Sequence, residues 1–432
     1  MATQIGIIAD DFTGANDSGV RLAQKGLKSR VVLANVENEI ARPNNEIDVW
    51  IVDTNSRAME ENEAYETVVK EINQLKARGV SQFYKKVDST LRGSVSAELK
   101  AMQDAAEVDV ILIAPAFPSM GRTVENGILY VNGVPVADTE FGRDPKTPVR
   151  HSYIPDLVAR ENVDIAVLKT EQLHGDHPEK WVLDQVAKGV QWIVCDVKEE
   201  ADFALLANIE KDLNLNLGWA GSAGMINHLY GEFGDESQFT RVLEVPIEKI
   251  LVISGSLSAQ TREQIEILKK RSRTKMIEID PIMLLENSQE PVAMLESLKR
   301  EDGWDSAVIY VGAYQQNRDK VKEWATIHGH SANQTAKGIS KGLGHLVQEA
   351  MGLSAFNALI MTGGDTAKDI CNVLGIYDLE LRFEVEAGLP LGRVSRNGKE
   401  LIVVTKAGGF GVAESLSNTV DYLKGAGLDA NN

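Results

Sequence analysis

The stretch that decides the fold is Ile5-Gly-Ile-Ile-Ala-Asp-Asp-Phe-Thr-Gly-Ala-Asn-Asp17. Its apolar start predicts a short buried strand that ends abruptly at Asp10 and Asp11, and a turn with Gly14 and a helix-like stretch at Ser18–Lys25 follow. Two adjacent carboxylates at the end of a buried strand are costly unless they bind something. A helix N-cap accounts for one of them but not for both. Because the carboxyl ends of strands face the ligand crevice of an open α/β sheet, we expect a ligand site here.

The composition is that of a two-domain globular protein. The chain has 432 residues, of which 43% are hydrophobic and 25% charged, and this length exceeds one ordinary domain. The net charge of −18 argues against nucleic acid or an anionic membrane as the main partner. Cys195 and Cys371 lie far apart, so neither a disulfide framework nor a cysteine metal cluster is expected. No targeting or membrane-spanning pattern is visible, and we therefore predict a cytoplasmic protein.

Strand and helix patterns alternate along the chain, which is typical of a parallel sheet covered by helices. We predict an α/β fold of two domains, residues 1–230 and 249–425, each a mostly parallel sheet flanked by helices. A linker at 231–248 joins them, the ligand cleft lies between them, and closure about the linker is expected. The interval Phe117–Arg150 is rich in glycine and proline, contains a hairpin turn at Asn132-Gly133, and has the length of a functional loop.

The second half repeats one local device three times, in which an apolar strand runs into a turn of small residues and then into a helix. The turns are Ser254-Gly-Ser-Leu-Ser258, Thr362-Gly-Gly-Asp-Thr366 and Lys406-Ala-Gly-Gly-Phe-Gly411. Such turns present backbone N–H groups and a positive helix end, which together suit a phosphate. None of them matches the Walker A or the dinucleotide G-x-G-x-x-G pattern. The spacing therefore indicates a nucleotide site outside the two commonest folds.

The first half carries a basic counterpart, Lys85-Lys-Val-Asp-Ser-Thr-Leu-Arg-Gly-Ser94. Lysine and arginine beside hydroxyls and a helix start can form an anion pocket. The alternative is a solvated basic turn in which Asp88 or Ser89 caps the helix. Arg57 ends another strand and is either a bidentate clamp for a carboxylate or a surface arginine.

Taken in order along the chain, these motifs resemble those of the four-carbon acid sugar kinases. The motifs that carry the resemblance are Ala9–Asp17, Lys86–Gly93, Pro115–Pro118, Gly121–Thr123, Thr139–Pro145, Thr362–Thr366 and Lys406–Gly411. They cover nearly the whole chain, and they are specific jointly rather than singly.

The resemblance implies an N-terminal acid-sugar domain and a C-terminal ATP domain. It implies transfer of the γ-phosphoryl group of ATP to the terminal hydroxyl of a four-carbon sugar acid. The form Lys86-Val-Asp-Ser-Thr-Leu-Arg92 resembles the D-threonate and D-erythronate kinase branch. The 3-oxo-tetronate 4-kinase branch has a different version of this motif and is the second choice.

Roles follow from the chemistry and the resemblance together. Candidates for the substrate carboxylate are Arg57, Lys86 and Arg92, and candidates for its hydroxyls are Asp88, Ser89 and Thr90. A carboxylate that accepts the proton of the alcohol assists in-line attack, and Asp11 is preferred for this role over Asp10. The ATP-binding candidates are Ser256, Ser258, Gly363, Gly364, Asp365, Thr366, Gly408 and Gly409.

Mg²⁺ is expected to be held mainly by the nucleotide phosphates. Asp365 either binds it through water or caps the helix that follows. Two other classes of function stay open at this point: a lyase or isomerase that uses Asp10 and Asp11 without ATP, and a non-catalytic sensor of sugar acids. The sequence does not choose between threonate and erythronate, and a homodimer is compatible with an enzyme of this size.

Overall fold

The computed structural model describes residues 4–34, 47–144, 147–230, 243, 246–256, 258–299, 303–312, 314–396 and 398–425. The chain divides into two compact units, Met1–Phe239 and Thr240–Asn432. Most of the linker predicted at 231–248 lies outside the described residues, as do Pro145 and Leu257 of the quoted motifs.

The strands are β1 (Ile5–Ala9), β2 (Ser29–Leu33), β3 (Val49–Asp53), β4 (Gln82–Lys86), β5 (Val110–Ala114), β6 (Arg122–Glu125), β7 (Ile128–Val131), β8 (Val134–Pro135), β9 (Ile165–Leu168), β10 (Trp192–Cys195), β11 (Leu217–Gly221), β12 (Ile250–Ser254), β13 (Thr274–Ile279), β14 (Ser306–Val311), β15 (Ala358–Thr362), β16 (Asp378–Glu384), β17 (Pro390–Arg396) and β18 (Lys399–Lys406). The α-helices are α1 (Phe12–Gln24), α2 (Glu61–Lys76), α3 (Val95–Ala106), α4 (Ile154–Val158), α5 (Thr170–Leu173), α6 (Pro178–Ala187), α7 (Glu200–Asp212), α8 (Ala223–Ile226), α9 (Ala259–Leu268), α10 (Pro281–Leu285), α11 (Glu290–Met294), α12 (Gln315–His328), α13 (Ala332–Leu353), α14 (Gly364–Leu374) and α15 (Ser415–Leu423).

The sheet of the first unit is parallel, with its described strands in the order β2, β3, β1, β4, β11, β5, β10, β9. Strands such as β1 and β5 are buried along their whole length, as expected when helices cover both faces of a parallel sheet. Ala9 pairs with Asp53 on β3 and with Lys86 on β4. The carboxyl ends of three neighbouring strands therefore meet at one edge, and the residues that follow them share a site.

Helix α2 of this unit is amphipathic and buries one stripe. In α2 the buried apolar residues are Ala64, Val68, Ile72 and Leu75, which is the spacing of a single helix face. The insertion after β5 forms a small antiparallel sheet of β6, β7 and β8. Its turn at Asn132 and Gly133 has positive φ at both residues, 49° and 78°, which confirms the predicted hairpin.

The second unit places β13, β14, β12, β15 and β18 side by side and parallel. β17 then pairs antiparallel with β18, and β16 pairs antiparallel with β17. Ser254 is aligned with Thr362, and Thr362 is aligned with Lys406. The three small-residue turns thus begin at the same level of the sheet.

The predicted class, α/β with a mostly parallel sheet flanked by helices, is confirmed in each unit. Several elements differ from the prediction. Helix α1 begins at Phe12 rather than Ser18, because Asp11 caps it. The elements that the sequence analysis did not predict include strands β13, β16 and β17 and helices α6, α12 and α13. None of the described helices combines the length and the apolar character that a membrane crossing needs.

Candidate active site

Asp11 combines a structural bond with an open oxygen atom. It is the N-cap of α1, and its Oδ1 accepts a hydrogen bond from the Gly14 N–H at 2.9 Å. The same Oδ1 lies 2.9 Å from Nη2 of Arg57. Within the described residues Oδ2 has no partner, and the side chain is 25% exposed. One oxygen is therefore fixed while the other faces solvent.

Asp10 is different, because its side chain is only 1% exposed. Its Oδ2 accepts a hydrogen bond from Nε of Arg57 at 2.7 Å. Burial raises the pKa of Asp10, but the positive charges of Arg57, Lys85 and Lys86 outweigh burial and hold that pKa below its ordinary value. Asp10 is thus a buried partner of Arg57, and its surroundings favour the ionised form of the carboxyl.

Arg57 reaches this position from the turn that follows β3. Asn55 adopts a positive φ of 55°, and the short 3₁₀ turn Ser56–Ala58 then directs the chain back toward β1. Besides its two contacts at β1, Nη2 lies 4.0 Å from Oδ1 of Asp88. Burial opposes the charge of Arg57, yet the three carboxylates raise its pKa well above the ordinary value. The arginine predicted as a clamp or a surface residue is therefore held mainly by aspartates of its own chain.

Asp88 follows β4 and is held by Arg92, whose Nε and Nη2 donate to its two oxygens at 2.7 and 3.1 Å. The Thr90 hydroxyl also donates to Asp88. Burial raises the pKa of Asp88, but Arg57, Arg92 and Thr90 together bring it far below the ordinary range. The described residues give the Ser89 hydroxyl, which is partly buried, no hydrogen-bond partner. The alternative in which Asp88 or Ser89 caps the next helix is wrong, because α3 begins at Val95.

The insertion contributes to the same cluster. Nη1 of Arg92 donates to Oδ2 of Asp144 at 3.3 Å, and its guanidinium lies 5.3 Å from the centre of the Phe141 ring. Asp144 and Phe141 belong to the segment whose length predicted a functional loop. The motif Thr139–Pro145 contains both residues, but the sequence analysis assigned neither a site role, since both are about 50 positions from Arg92 in the chain.

Lys86 is the cation of this cluster that lacks a carboxylate partner. Its Nζ donates to the carbonyl of Val87 at 3.0 Å, and no described carboxylate lies within 4.0 Å of it. A Cβ added to Gly14 would lie 2.6 Å from this Nζ and 2.7 Å from Oδ1 of Asp11. Lys86 therefore lies beside Asp11 and the N-terminus of α1, and a side chain at position 14 would have to displace the ends of these two side chains.

Behind the cluster lies a buried ion pair that the sequence analysis missed. Nζ of Lys85 is 3.1 Å from Oε2 of Glu98, with 0% and 1% of the two side chains exposed. The same Nζ donates to the carbonyls of Ile8 and Lys86 at 3.2 and 3.1 Å. Burial raises the pKa of Glu98, an effect that Lys85 opposes. Successive residues of a strand point to opposite faces of the sheet. Because Lys85 and Lys86 are adjacent, the sequence already implied that only one of these lysines could face the site.

In the second unit, the first and third turns are tied together. Ser258 is the N-cap of α9, and its Oγ accepts from the Thr261 N–H at 3.1 Å and donates to the carbonyl of Gly408. Thr261 donates to the same carbonyl at 2.6 Å. Oγ of Ser256 lies 3.3 Å from Oγ of Ser258. Two predicted ATP-binding serines and Gly408 are therefore in direct contact.

The second turn fits against the first. Gly363 is the N-cap of α14 with a φ of 91°, a conformation that favours glycine. A Cβ on Gly255 would lie 2.5 Å from Oγ1 of Thr366, so the two turns touch. Gly364 is the first residue of α14 and Asp365 the second, so the helix-capping role considered for Asp365 is wrong. A Cβ on Gly409 would meet only open space.

Lys406 organises the third turn and was not among the predicted site residues. It is 1% exposed, and its Nζ donates to the carbonyls of Ala407, Gly408 and Phe410 at 2.9, 3.2 and 3.1 Å. It also donates to Oγ1 of Thr261 at 3.2 Å. Burial lowers the pKa of Lys406 to about 8. The ammonium group of Lys406 binds the carbonyls on the inner side of this turn. The outer side of the turn is therefore lined by other backbone groups.

The chain is similar to known proteins over nearly its whole length. A model of a sugar-binding N-terminal domain matches residues 5–229, and a model of a nucleotide-binding C-terminal domain matches residues 251–416. A D-threonate kinase of Salmonella typhimurium is 30% identical over 425 residues, which is 97% of this chain and 98% of that protein. A D-erythronate kinase of Heliobacterium modesticaldum is 28% identical and covers 96% of each chain.

More distant relatives share the same extent. A 3-oxo-tetronate kinase of Haemophilus influenzae is 25% identical, covering 94% of this chain and 97% of that protein. The crystal structure of a Haemophilus influenzae protein superposes with a TM-score of 0.76 at 21% identity, covering 97% of this chain and all of the other. This last similarity concerns the fold alone. From the two domain matches and the full-length relatives, we conclude that the chain belongs to the four-carbon acid sugar kinase family.

Proposed function

We propose that this protein is an ATP-dependent kinase that phosphorylates the terminal 4-hydroxyl of a four-carbon sugar acid, with D-threonate as the first candidate and D-erythronate as the second. The observation that carries the proposal is the arrangement at Asp11, where Oδ1 is fixed and Oδ2 has no partner among the described residues, while Nζ of Lys86 lies close to the neighbouring Gly14. Family membership favours phosphoryl transfer over the lyase, isomerase and sensor alternatives.

Asp11 is proposed as the group that accepts the proton of the attacking hydroxyl. The Gly14 N–H and Arg57 both hold Oδ1, so Oδ2 has a defined direction without being occupied. A positioned carboxylate of this kind helps an alcohol to attack a phosphoryl group. Asp10 already accepts a hydrogen bond from Arg57 through its Oδ2. Its proposed role is to fix Arg57, which in turn orients Asp11.

Lys86 is proposed to hold the substrate carboxylate together with the N-terminal amides of α1. Arg57 and Arg92 each hold two carboxylates already, which makes them less available to an incoming anion. Asp88, Ser89 and Thr90 are proposed to contact the substrate hydroxyls. Threonate and erythronate differ in the configuration of one hydroxyl group. The choice between them then depends on how Asp88 accepts a hydrogen bond from that hydroxyl in each configuration.

The three turns after β12, β15 and β18 are proposed to bind the ATP phosphates, with Ser256, Ser258, Gly363, Gly364, Thr366 and Gly408 in contact and Gly409 and Asp365 close by. Within the described residues no group of three or more acidic, histidine or cysteine side chains suits a metal ion. The proposed phosphate site has one carboxylate, that of Asp365, among several hydroxyl groups. This composition suits an Mg²⁺ ion whose ligands are chiefly phosphate oxygens. When bound, Mg²⁺ would neutralise phosphate charge, and Asp365 would hold it through water.

The proposed use of ATP agrees with the predicted cytoplasmic location, and a homodimer stays a prediction from chain length.

A coupled assay of ADP release tests the proposal. The purified chain is incubated with Mg-ATP and one of D-threonate, D-erythronate, 3-oxo-tetronate or the neutral tetritol, and the product is located by ³¹P NMR. We expect kcat/KM to be highest for D-threonate and the phosphate to appear on the 4-hydroxyl. The highest value for 3-oxo-tetronate would move the protein to that branch. ADP release that no four-carbon acid stimulates would refute the proposal.

A Lys86→Met variant tests the carboxylate site separately. Loss of a hydrogen bond to a charged group costs about 1.5–3 kcal/mol, so KM for D-threonate should rise roughly 10- to 150-fold, with a smaller change in kcat. An unchanged KM would show that other groups hold the carboxylate.

A further inference from the structure

The end of β1 is held from both sides by buried polar side chains to which the proposed mechanism gives no role. On the side of β4, Nζ of Lys85 donates to the carbonyl of Ile8 at 3.2 Å and is paired with Glu98 on α3. On the side of β3, the Thr54 hydroxyl donates to the carbonyl of Ala9 at 2.7 Å. The two carbonyls are consecutive and come directly before the site carboxylates. The strand that carries those carboxylates is therefore fixed at its last two residues.

Each of these contacts also reaches a second segment of the site. Nζ of Lys85 donates to the carbonyl of Lys86 at 3.1 Å, and Lys86 is the cation proposed for the substrate carboxylate. Oγ1 of Thr54 lies 2.7 Å from Oγ of Ser56, which begins the 3₁₀ turn that carries Arg57. The two contacts thus connect the carboxyl end of β1 with the segments that hold both cations.

Stability alone does not account for these groups. The side chains of Lys85, Glu98, Thr54 and Ser56 are 0% or 1% exposed. Well-packed apolar residues often replace a buried ion pair with no loss of stability, and a typical hydrogen bond contributes little net free energy to folding. What such groups supply is a fixed direction, because hydrogen bonds have narrow ranges of length and angle.

We propose that these four side chains are positioning residues for phosphoryl transfer. The inference rests on the proposed function and adds to it the groups that fix the proton acceptor. Asp11 comes two residues after the carbonyl that Thr54 holds, and Arg57 comes directly after Ser56. A shift of the strand end would therefore change the 2.9 Å separation between Oδ1 of Asp11 and Nη2 of Arg57. A misplacement of about 1 Å can lower a reaction rate roughly 100-fold.

Two variants of the full-length chain remove one contact each. The double change Lys85→Met with Glu98→Leu removes the ion pair without leaving a buried charge, and Thr54→Val removes the hydroxyl while keeping a side chain of similar shape. In both variants kcat for ADP release with D-threonate should fall about 10- to 100-fold. KM for ATP should stay unchanged, because the proposed phosphate turns belong to the other unit. Urea unfolding should show the double variant to be nearly as stable as the wild type, so that lost turnover is not lost folding.

Two further variants are the controls. Thr54→Ser keeps the hydroxyl and should keep kcat near that of the wild type. Thr419→Val is the matched change in the other unit, because the Thr419 hydroxyl is also buried and donates to the carbonyl of Ser415 at 2.7 Å; it should leave kcat unchanged.

A wild-type kcat in the double variant or in Thr54→Val would overturn the positioning role alone, as would an equal loss of kcat in Thr419→Val. A wild-type chain whose ADP release no four-carbon acid stimulates would overturn the proposed function and this inference with it.

Discussion

Replacement of Asp11 by asparagine separates catalysis from folding. Asparagine and aspartate are about equally good N-caps, so the bond from the Gly14 N–H should survive. What is lost is the charge that faces Arg57. The two side chains are 25% and 20% exposed, and partly exposed ion pairs contribute only about 0–1 kcal/mol. We therefore expect the free energy of unfolding to fall by about 1 kcal/mol or less.

The effect on turnover should be far larger. An amide cannot take up the proton of the attacking alcohol, and loss of a positioned general base lowers kcat by roughly 10²–10⁴-fold. KM for ATP should not change, because the proposed phosphate turns belong to the other unit. The Asp10→Asn variant provides the contrast. Asp10 is buried against Arg57, and breaking a buried pair costs about 3–5 kcal/mol, so this variant should lose stability as well as activity.

The measurements are ADP release at saturating substrates and urea unfolding followed by tryptophan fluorescence. D-threonate affinity of Asp11→Asn, measured by calorimetry, should remain near that of the wild type. A kcat near the wild-type value would remove Asp11 from the mechanism. A loss of several kcal/mol in unfolding free energy would show that the variant reports on folding instead.

Three further predictions concern the supporting structure. Glu98→Gln leaves the buried Lys85 ammonium without its carboxylate and should lower the free energy of unfolding of the first unit by about 3–5 kcal/mol. The double change Lys85→Met with Glu98→Leu should restore most of this loss, as measured by urea unfolding. Equal stability of the single and double variants would contradict this expectation. Burial holds the pKa of Lys406 at about 8, below the 10.5 ordinary for lysine, so the unfolded chain binds that proton more tightly. The wild type should therefore gain stability relative to Lys406→Met as the pH rises from 8 toward 10, and a constant difference between them would count against the buried charge. Gly363→Ala forces a side chain into a φ of 91° and should cost about 1–3 kcal/mol and weaken ADP binding, while Gly352→Ala, with open space around it, should be neutral or stabilising by up to about 1 kcal/mol.

The positions of the site residues were predictable because parallel strands end together. Asp10, Arg57 and Lys86 each follow an apolar run, and the fold brings those runs to neighbouring places in the sheet. Which side chains then pair with one another was not predictable. The contact of Arg92 with Asp144 joins residues 52 positions apart, and no local pattern encodes it.

In the second unit, too, the positions of the turns were predictable but their side-chain contacts were not. The three turns were visible as strand, small residues and helix, whereas the bond between Lys406 and Thr261 spans 145 positions. β16 could have been found, since Asp378-Leu-Glu-Leu-Arg-Phe-Glu384 alternates apolar and polar residues with a period of two. Helix α12 buries none of its residues completely, so its few apolar positions gave only a weak signal.

The matching of Arg57 and Arg92 with aspartates has a consequence for how an anion arrives. A chain with a net charge of −18, whose two site arginines are already paired with aspartates, repels a negatively charged metabolite at long range. Encounter should then be slower than ordinary diffusion at low ionic strength and should become faster as added salt screens the repulsion. Selection among acids would occur only after contact, when hydrogen bonds and ion pairs within the site are exchanged for those with the bound acid.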